Sequence, residues 1–435
     1  MGTKIMSKNS NKAVIIEGFR TPFVKTGQDL QDMSAEELGI RVLRELLERT
    51  QVDFNEIEEV VLSNIVNSLD HFNLTQAITR KVGLPQHVFA RRLSHSYLEN
   101  VFNVATKIQS GLVKTLIVGG MESMSQAVVA PSPGLTKIIK KVIQSKTWKD
   151  RLKHILSLRP KDIKFQFTDQ NLFFHSISRG GLKQKVEGLS DYFHISRKEQ
   201  DEFTLMSFQK ACQAQKKGIW KEEIVPVFPP PDFELLTKDP NLENIPTLHF
   251  LSELKPCFNG DHGTVTEGNS SFPADGAAVL LMMNEEKAKA LGYKPLTYIY
   301  SFSRVSADSR EYNQGFLYAV EQALKQAKLE IKNINLFEID ESFSAQALAC
   351  LKSLKSSKDI DNPSEKKVIL EEVDPKKCNV NGGALAIGHP LSATPIRMVL
   401  SLAKEMKRRQ MEWGMVISGA CQGPSEVLIL KNVLN

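Results

Sequence analysis

Cysteine is scarce in this sequence. Five cysteines are scattered singly over 435 residues, and none belongs to a CxxC pair. An odd number of isolated cysteines argues against a disulfide framework and against a cysteine-based zinc site. We therefore expect no bound metal and a reducing, cytoplasmic environment, in which free thiols persist.

Long apolar runs are also missing. A helix needs ~20 apolar residues to cross a bilayer, and no run in this sequence approaches that length. The N-terminal stretch is polar, so we expect no secretory signal. With 41% hydrophobic and 24% charged residues, the composition is that of an ordinary soluble globular protein. A chain of 435 residues is expected to form two or more domains.

Positive charge is unevenly spread along the chain. Residues 131–165 contain ten Lys or Arg and two Asp, a net charge of +8, whereas the whole chain carries +6. The remainder of the chain is therefore close to neutral, which argues against a nucleic-acid-binding protein.

The basic segment also has an apolar pattern, with a break at 145–147. Its apolar residues at near-helical spacing are Ile138, Ile139, Val142, Ile143, Leu152, Ile155, Leu156 and Leu158. This spacing predicts two short cationic amphipathic helices, which are typical of anionic-surface binding. We expect a peripheral, salt-sensitive association with an anionic membrane surface or a protein partner. The alternative is a solvated insertion whose apolar stripe packs on its own domain.

Strand-like and helix-like patterns alternate at both ends of the chain. A buried-type strand at 13–18 is followed by the capping box Ser34–Glu37, which predicts a helix start. Continued alternation predicts a parallel or mixed sheet with helices on both faces. Residues 121–245 interrupt the rhythm with a second capping box, Ser196–Glu199, and the proline-rich stretch 226–240. We interpret this region as an insertion lying over the sheet.

Two parts of the sequence follow one plan. Ser94 precedes a predicted helix, then a strand and Gly119, while His389 precedes a predicted helix, then a strand and Gly419. The spacings are 25 residues from Ser94 to Gly119 and 30 from His389 to Gly419. We infer a duplicated α/β unit whose two helix starts face one crevice, a natural place for an active site.

The second of these helix starts follows the glycine-rich stretch Asn379–Pro390, which contains His389. We predict that Thr394 is the helix N-cap and Pro395 the first helical residue. A lone histidine is more often structural than functional. Several glycines around it, however, indicate close approach of the backbone to another group, such as a ligand.

Several motifs in order along the chain carry a family resemblance. They are Arg20-Thr-Pro-Phe23, Gly119-Gly-Met-Glu-Ser-Met124, Gly263-Thr-Val-Thr266 with Asn269-Ser-Ser271, Asp340-Glu-Ser-Phe343, and Asn381-Gly-Gly383 with Gly388-His-Pro390. The sequence resembles the thiolase family, the acetyl-CoA acyltransferases, over about residues 12 to 433. Within the family, the sequence most resembles the thiolase (β) subunits of fatty-acid-oxidation trifunctional complexes. This finer resemblance is carried by Ser196–Phe203 and Glu285–Pro295.

The resemblance implies an α/β thiolase fold of two duplicated α/β halves in five layers with an inserted loop domain. We place the N-terminal half at 12–120 and 246–290, and the C-terminal half at 291–435. The loop domain then spans 121–245 and includes the basic insertion 131–165. The resemblance also implies a homodimer or homotetramer and association with a hydratase/dehydrogenase partner subunit.

The implied chemistry is cleavage of a 3-ketoacyl-CoA by free CoA, or the reverse condensation, with no covalently bound cofactor. Family members use a nucleophilic cysteine, a histidine base, a second cysteine for proton transfer, and an Asn or His that orders an oxyanion-hole water. The matching positions here are Ser94, His389, Cys421 and Asp340. The matching positions for CoA or acyl-CoA binding are Asn269, Ser270, Ser271 and Asn381.

Three of the matched positions depart from the family pattern. Ser94 replaces the cysteine and is a weaker nucleophile without a strong base; its alternative role is a helix N-cap. Asp340 replaces Asn or His, and a carboxylate cannot donate a hydrogen bond unless protonated; we expect a solvated or water-bridged side chain. Cys421 lies in a turn two residues shorter than in the family, so its role as second cysteine stays open.

Two functions remain open from the sequence. The first is an acyl-CoA-binding thiolase-family enzyme with weak or lost thiolysis, for instance a weak thioester hydrolase that uses Ser94 and His389. The alternative is a non-catalytic pseudoenzyme, which serves as an acyl-CoA-binding or structural subunit of a β-oxidation complex.

Overall fold

The computed structural model describes most of the chain. The described residues are 11–66, 73–93, 98–127, 129–159, 165–167, 182–257, 262–306, 312–355, 372–419 and 424–433. Ser94 and Cys421, two of the predicted catalytic residues, lie outside these ranges.

The strands include the predicted one at 13–18, which extends to residue 20. They are β1 Ala13–Arg20, β2 Val24–Lys25, β3 Glu59–Ser63, β4 Phe89–Leu93, β5 Thr115–Glu122, β6 Val129–Pro131, β7 Phe165–Phe167, β8 Ala274–Asn284, β9 Thr297–Val305, β10 Leu336–Ile339, β11 Trp413–Ser418 and β12 Ser425–Asn432.

The helices lie between these strands. They are α1 Ala35–Thr50, α2 Leu74–Lys81, α3 Glu99–Gln109, α4 Pro133–Gln144, α5 Trp148–Leu156, α6 Leu182–Tyr192, α7 Arg197–Lys216, α8 Leu248–Glu253, α9 Glu285–Ala290, α10 Tyr312–Ala327, α11 Ser344–Lys355, α12 Ala384–Ile387 and α13 Ala393–Arg409. Within the described ranges, none of them is both long and apolar enough to cross a membrane.

Both predicted capping boxes are present. At the start of α1, the Ser34 hydroxyl oxygen accepts the Glu37 backbone N–H, and the Glu37 carboxylate accepts the Ser34 backbone N–H. Ser196 and Glu199 form the same reciprocal pair at the start of α7. Each box satisfies N–H groups that a helix start otherwise leaves unpaired, so these local starts were readable from sequence.

Ten of these strands form one mixed sheet in the order β10-β11-β12-β9-β1-β8-β5-β3-β4, with β2 paired to β8. Strands β6 and β7 pair antiparallel in a separate two-stranded sheet. In the N-terminal part, β4, β3 and β5 run parallel, and β8 and β1 continue antiparallel. In the C-terminal part, β10 and β11 run parallel, and β12 and β9 continue antiparallel. The two parts therefore repeat one strand order and one set of directions.

The repeat extends to the position of β4. A parallel bridge between Phe337 and Cys378 lies beside β10, where the N-terminal part has the β3–β4 pair. By the same order, α1 corresponds to α10, α2 to α11 and α3 to α13. The predicted duplication of an α/β unit is confirmed by this topology. The residue bounds that we predicted for the two halves and the loop domain stay a prediction.

Five layers follow from which side chains share a core. On β5, Ile117 points to a core with α1 and α2, whereas Leu116 and Val118 point to a central core that contains α3 and α13. On β11, Val416 points to that central core and Met415 to an outer core with α10 and α11. The alternation is the two-residue period of a strand buried on both faces. Helices α3 and α13 therefore lie between the two parts of the sheet.

The predicted start of α13 was wrong by two residues. Ser392 is the N-cap, without a side-chain capping bond, and α13 begins at Ala393. Thr394 and Pro395 are instead the second and third helical residues. Proline is tolerated there because the first N–H groups of a helix have no intrahelical partner. The Thr394 hydroxyl contacts His389 rather than capping the helix.

The basic segment forms the two predicted helices. Helices α4 and α5 contact each other and are joined by residues 145–147. We call residues 131–159 the basic hairpin. Its apolar stripe is partly exposed: Ile143, Trp148 and Leu156 are 72%, 68% and 75% exposed. Three other stripe residues, Ile138, Val142 and Leu158, are half-buried.

Candidate active site

The backbone fixes His389 between two helices and a neighbouring loop. The preceding Gly388 has φ +95°, a conformation that favours glycine, and a Cβ there would lie 2.6 Å from the Phe272 ring. The His389 N–H donates to the Phe272 carbonyl at 3.0 Å. The glycine at 388 therefore allows two segments of the same chain to pack closely. This packing places the imidazole beside residues 269–273.

Both ring nitrogens of His389 face protein groups. Its Nδ1 lies 3.2 Å from Oγ1 of Thr394, within hydrogen-bond distance. Its Nε2 lies 3.6 Å from Oδ1 of Asp340, within ion-pair distance. The His389 side chain is 16% exposed, so the imidazole is mostly shielded from water. Two positions that are 49 residues apart in the sequence thus form one contact.

Asp340 is buried, which corrects the expectation of a solvated side chain. It follows β10 directly and is only 8% exposed. Its Oδ1 accepts the Ser342 N–H at 2.9 Å and the Ser342 hydroxyl at 2.8 Å, and its Oδ2 lies 3.4 Å from the Ser418 hydroxyl. The carboxylate thus receives protein donors in place of water.

The surroundings of Asp340 favour its charged form. Burial by itself raises the pKa of this carboxyl, but the interaction with His389 and the donors of Ser342 outweigh burial and bring the pKa below its ordinary value. Asp340 is therefore an ionised acceptor. It cannot donate a hydrogen bond to a developing oxyanion, and its negative charge beside one is unfavourable.

A buried glutamate that sequence reasoning missed supports the same loop. Glu341 Oε2 accepts the Ser207 hydroxyl at 2.6 Å and the Leu385 N–H at 3.4 Å, and its Oε1 accepts the Asn379 amide at 2.5 Å. Burial raises the pKa of Glu341, since the charged form loses its hydration. Glu341 therefore ties β10, α7 and the loop before His389 together. Only its adjacency to Asp340 could have signalled this role.

Three of the four predicted CoA-binding residues, Asn269, Ser270 and Ser271, lie in one loop beside this centre. The Asn269 amide donates to Asp201 Oδ1 at 3.1 Å and to the Thr264 carbonyl at 3.0 Å, and its Oδ1 accepts the Thr266 N–H at 2.8 Å. The Ser270 hydroxyl donates to the Thr266 carbonyl at 2.6 Å. The side chains of Asn269 and Ser270 thus shape the loop.

Ser271 and Asn381 relate differently to the His389–Asp340 contact. The Ser271 N–H donates to the carbonyl of Ser342, the residue that also donates to Asp340. The Asn381 amide instead donates to Glu405 of α13 at 3.0 Å. The structure therefore brings Ser271 near the centre and assigns Asn381 to a helix contact. Their role in CoA binding stays a prediction.

A second buried glutamate lies at the N-terminus of α3, the helix that follows position 94. Glu426 Oε2 accepts the backbone N–H of Glu99 at 3.4 Å. Burial raises the pKa of Glu426 to about 7, although the charge of Arg304 opposes this. The start of α3, where a helix dipole favours an anion, thus already has a carboxyl group of the chain itself.

The C-terminal helix start rests directly on the N-terminal half. The Ser392 hydroxyl donates to the carbonyls of Ser63 at 3.0 Å and Met121 at 3.2 Å. Gly120 contacts the Ser392 backbone so closely that a Cβ would overlap it. The glycine of the Gly119-Gly120 motif therefore permits α13, and with it His389, to lie against β5.

A large cleft adjoins the loop but is separate from the chemistry. It has a volume of about 850 Å³, and Ser270, Phe272 and Leu385 contribute to its wall. His389 and Asp340 are not among its lining residues. Among the residues that the structure describes, no group of His, Cys, Asp or Glu is arranged to hold a metal ion.

Comparison with known proteins defines the class of this chain. Residues 13–286 match the thiolase N-terminal domain, and residues 293–431 match the thiolase C-terminal domain. The two matches together span nearly the whole chain. The chain therefore belongs to the thiolase family, and the predicted family is confirmed.

Bacterial relatives align over almost their full length. The 3-ketoacyl-CoA thiolase of Pectobacterium atrosepticum is 32% identical over 432 residues, which cover 98% of each chain. The 3-ketoacyl-CoA thiolase of Escherichia coli O127:H6 is 30% identical over 431 residues, again 98% of each chain.

Solved structures of the family superpose on this one. Human mitochondrial 3-ketoacyl-CoA thiolase gives a TM-score of 0.82 at 25% identity and covers 98% of this chain and 99% of its own. Bacillus anthracis acetyl-CoA acetyltransferase gives 0.84 at 27% identity, with 98% and 100% covered. The human enzyme in complex with CoA gives 0.81 at 25% identity, with 97% and 98% covered. The thiolase fold is confirmed.

Proposed function

We propose that this chain is a thiolase-family protein of 3-ketoacyl-CoA metabolism that binds acyl-CoA and has weak or no thiolysis activity. The observation that carries the proposal is the contact between the ionised, buried Asp340 and Nε2 of His389. A second observation supports the proposal: Ser94 stands at the position where the family has its nucleophilic cysteine.

The contact impairs two functions that the family reaction needs, the general base and the oxyanion donor. A general base must present a free nitrogen to the proton that it takes, whereas both nitrogens of His389 face Thr394 and Asp340. The oxyanion position in turn has a negative charge in place of a donor. Loss of one oxyanion donor typically costs about 10²–10³ in rate, and the serine hydroxyl is a far weaker nucleophile than a thiolate.

Acyl-CoA remains the favoured ligand class. The relatives at 30% and 32% identity are named 3-ketoacyl-CoA thiolase, and a superposing structure contains CoA. The loop Asn269–Ser271, which the resemblance places along the ligand, is held by its own hydrogen bonds, and the His389 N–H donates to the carbonyl of the adjacent Phe272. Calorimetry with acetyl-CoA tests this, and absence of both heat and thermal shift at millimolar ligand would contradict it.

The alternative is a non-catalytic acyl-CoA-binding or structural subunit of a β-oxidation complex, as a homo-oligomer or with a hydratase/dehydrogenase partner. The same Asp340–His389 contact supports it. A thioester hydrolase with His389 as base is less favoured, because the nitrogen turned away from Asp340 faces Thr394. Release of free thiol from acyl-CoA without an acceptor, abolished by His389→Gln, would identify a hydrolase.

The deciding experiment is a thiolysis assay with 3-ketoacyl-CoA substrates of several chain lengths, on the natural chain and on Ser94→Cys. We expect the natural chain at background and Ser94→Cys at least tenfold higher, yet slower than ordinary enzymes because Asp340 remains. Equal melting temperatures of the two proteins serve as the control for folding. A turnover number of ~1–10³ s⁻¹ for the natural chain, the ordinary enzyme range, would contradict the proposal.

We further propose that the basic hairpin makes a salt-sensitive peripheral contact, with an anionic membrane surface or with a protein partner. Its exposed apolar stripe and its positive charge support this role. Cationic amphipathic helices of this kind bind anionic surfaces through apolar burial and charge together.

A further inference from the structure

A second exposed surface of the chain has the opposite charge to the basic hairpin. We call the cleft of about 850 Å³ beside the Ser270 loop the acidic cleft. Its charged lining residues are Asp29, Asp32, Asp232, Glu234, Glu243, Glu267 and Lys25. Six carboxylates thus face one lysine. Lys238 pairs with Glu243 at 2.8 Å and offsets one of these charges. The other carboxylates still outnumber the nearby lysines, so the cleft is negative.

The acidic cleft also exposes large apolar side chains. Leu235 and Phe250 line it and are 58% and 57% exposed, and Phe233 beside it is 62% exposed. Folded monomers rarely expose such groups together unless the surface binds a partner. Carboxylates that surround apolar side chains are complementary to a helix with an apolar stripe flanked by basic residues.

The basic hairpin has that composition. Residues 131–159 contain eight Lys or Arg and one Asp. The exposed apolar residues recur at helical spacing within α4 and within α5: Ile139 and Ile143, then Trp148, Leu152, Ile155 and Leu156. This spacing places them in one stripe on each helix, with the basic residues beside it.

We propose that the basic hairpin of one copy of this chain inserts its apolar stripe into the acidic cleft of a second copy. This inference rests on the proposed role of the hairpin in peripheral association and names its partner. A lipid surface would cover the hairpin alone. A second copy covers the hairpin and the apolar side chains of the acidic cleft in one contact, and if the geometry closes, two such contacts form per pair of copies.

A charge-swap experiment tests the proposal on the full-length protein. The hairpin variant carries Lys140→Glu, Lys141→Glu, Lys149→Glu and Lys153→Glu, which change the net charge of residues 131–159 from +7 to −1. The cleft variant carries Asp29→Lys, Asp232→Lys and Glu234→Lys, which change the net charge of the lining residues from −5 to +1. In each variant alone, hairpin and cleft have the same sign. In an equimolar mixture, the acidic hairpin of one variant meets the basic cleft of the other, and the unaltered hairpin meets an unaltered cleft.

Mass is measured by light scattering after gel filtration, at about 0.05 M and about 0.5 M salt, between which charge screening strengthens several-fold. We expect a larger species for the natural chain at low salt only, and at least a tenfold weaker association of each variant. The mixture is expected to restore the larger species. Failure of the mixture to restore it, or equal masses for all four samples, would overturn the proposal.

Two controls distinguish docking of the apolar stripe from bare charge attraction and from lipid binding. The variant Ile143→Ser with Leu156→Ser removes apolar surface at unchanged charge, and it is expected to lose the association as well. Retention of the association would mean unspecific charge attraction and would overturn the proposal.

Flotation with phosphatidylserine vesicles tests whether the hairpin binds lipid instead. If only the hairpin variant loses vesicle binding while all masses stay equal, lipid is the partner; the second-copy proposal is then overturned, and the broader proposal of peripheral association still holds. The thiolysis assay is independent of all these outcomes.

Discussion

Oδ1 of Asp340 lies 3.6 Å from Nε2 of His389. The carboxyl group stands where relatives are expected to have an oxyanion donor, and here it is ionised and turned toward the base. Two groups that would serve the reaction separately are thus engaged with each other.

Replacement of Asp340 by Asn in a Ser94→Cys background should raise thiolysis at least tenfold over Ser94→Cys alone. The amide has the same shape but can donate to an oxyanion, and it removes the negative charge at Nε2 of His389. The rate is measured with a 3-ketoacyl-CoA and free CoA. Asp340→Asn with Ser94 retained is the control and should stay at background. An unchanged or lower rate in the double variant would show that Asp340 does not limit the reaction.

Glu426→Gln should make stability less dependent on pH. The folded-state pKa of Glu426, about 7, is raised above the ordinary value of 4.5. The folded state therefore holds the proton more tightly, and stability from this group is lost as pH rises from about 4.5 through about 7. Relative to Glu426→Gln, the natural chain should lose about 2–3 kcal/mol of unfolding free energy between about pH 5 and about pH 8. Urea denaturation across this range measures the difference.

The exposed Glu48 of α1 provides the matched control for that series. Glu48→Gln should keep the pH dependence of the natural chain, because this side chain lies at the surface. A Glu426→Gln curve parallel to the natural one would mean that the Glu426 carboxyl titrates alike in the folded and unfolded states.

Asp239→Asn should destabilise the protein by about 3–5 kcal/mol, the usual cost of leaving a buried charge without its partner. Arg20 and Asp239 are fully buried and joined by two hydrogen bonds of 2.8 Å, with Glu223 at 3.6 Å from Arg20 Nε. Chemical denaturation gives the free energy of unfolding.

An exposed ion pair gives the comparison for Asp239. The Lys198–Glu202 pair on α7 spans 3.8 Å at the surface, so Glu202→Gln should cost less than about 1 kcal/mol. Similar losses for Asp239→Asn and Glu202→Gln would mean that the buried pair contributes no more than a surface one.

Gly388→Ala should lower the melting temperature more than Gly83→Ala does. Both glycines have positive φ, +95° and +89°, but a Cβ at Gly388 meets the Phe272 ring at 2.6 Å, whereas one at Gly83 meets nothing within 4 Å. Backbone strain alone costs about 1–3 kcal/mol at either position. The additional loss of melting temperature in Gly388→Ala therefore measures the clash with the Phe272 ring. Equal shifts in melting temperature would mean that the Phe272 ring moves aside without cost.

The sequence predicts the parts of the fold that depend on neighbours along the chain. Both capping boxes, the strand pattern and the two helices of the basic hairpin follow from local periodicity and local hydrogen bonding. The start of α13 is an exception with a local cause. Thr394 and Pro395 have the residue types of an N-cap and a first helical residue, but the threonine hydroxyl contacts His389 instead.

The site is less predictable because its contacts are distant in sequence. The motif identifies His389 and Asp340 separately, yet only the fold shows that Asp340 is buried against the imidazole. The Glu426 contact with Glu99 joins positions 327 residues apart, and no periodicity or spacing signals it. Glu341 lacked a signal for the same reason, since its donors come from α7, from the loop before α12 and from α12 itself.

The shared middle layer restricts how this protein can be divided. Helices α3 and α13 bury their side chains in one core with strands from both parts of the sheet. Either half expressed alone would leave the inner face of its own sheet, and one side of its inner helix, open to water. A single ancestral half of this design would therefore have needed a second copy of itself to fold. Gene fusion of two such copies turns that dimer contact into the interior of one chain, so cutting the polypeptide between β8 and β9 is not expected to release two folded pieces.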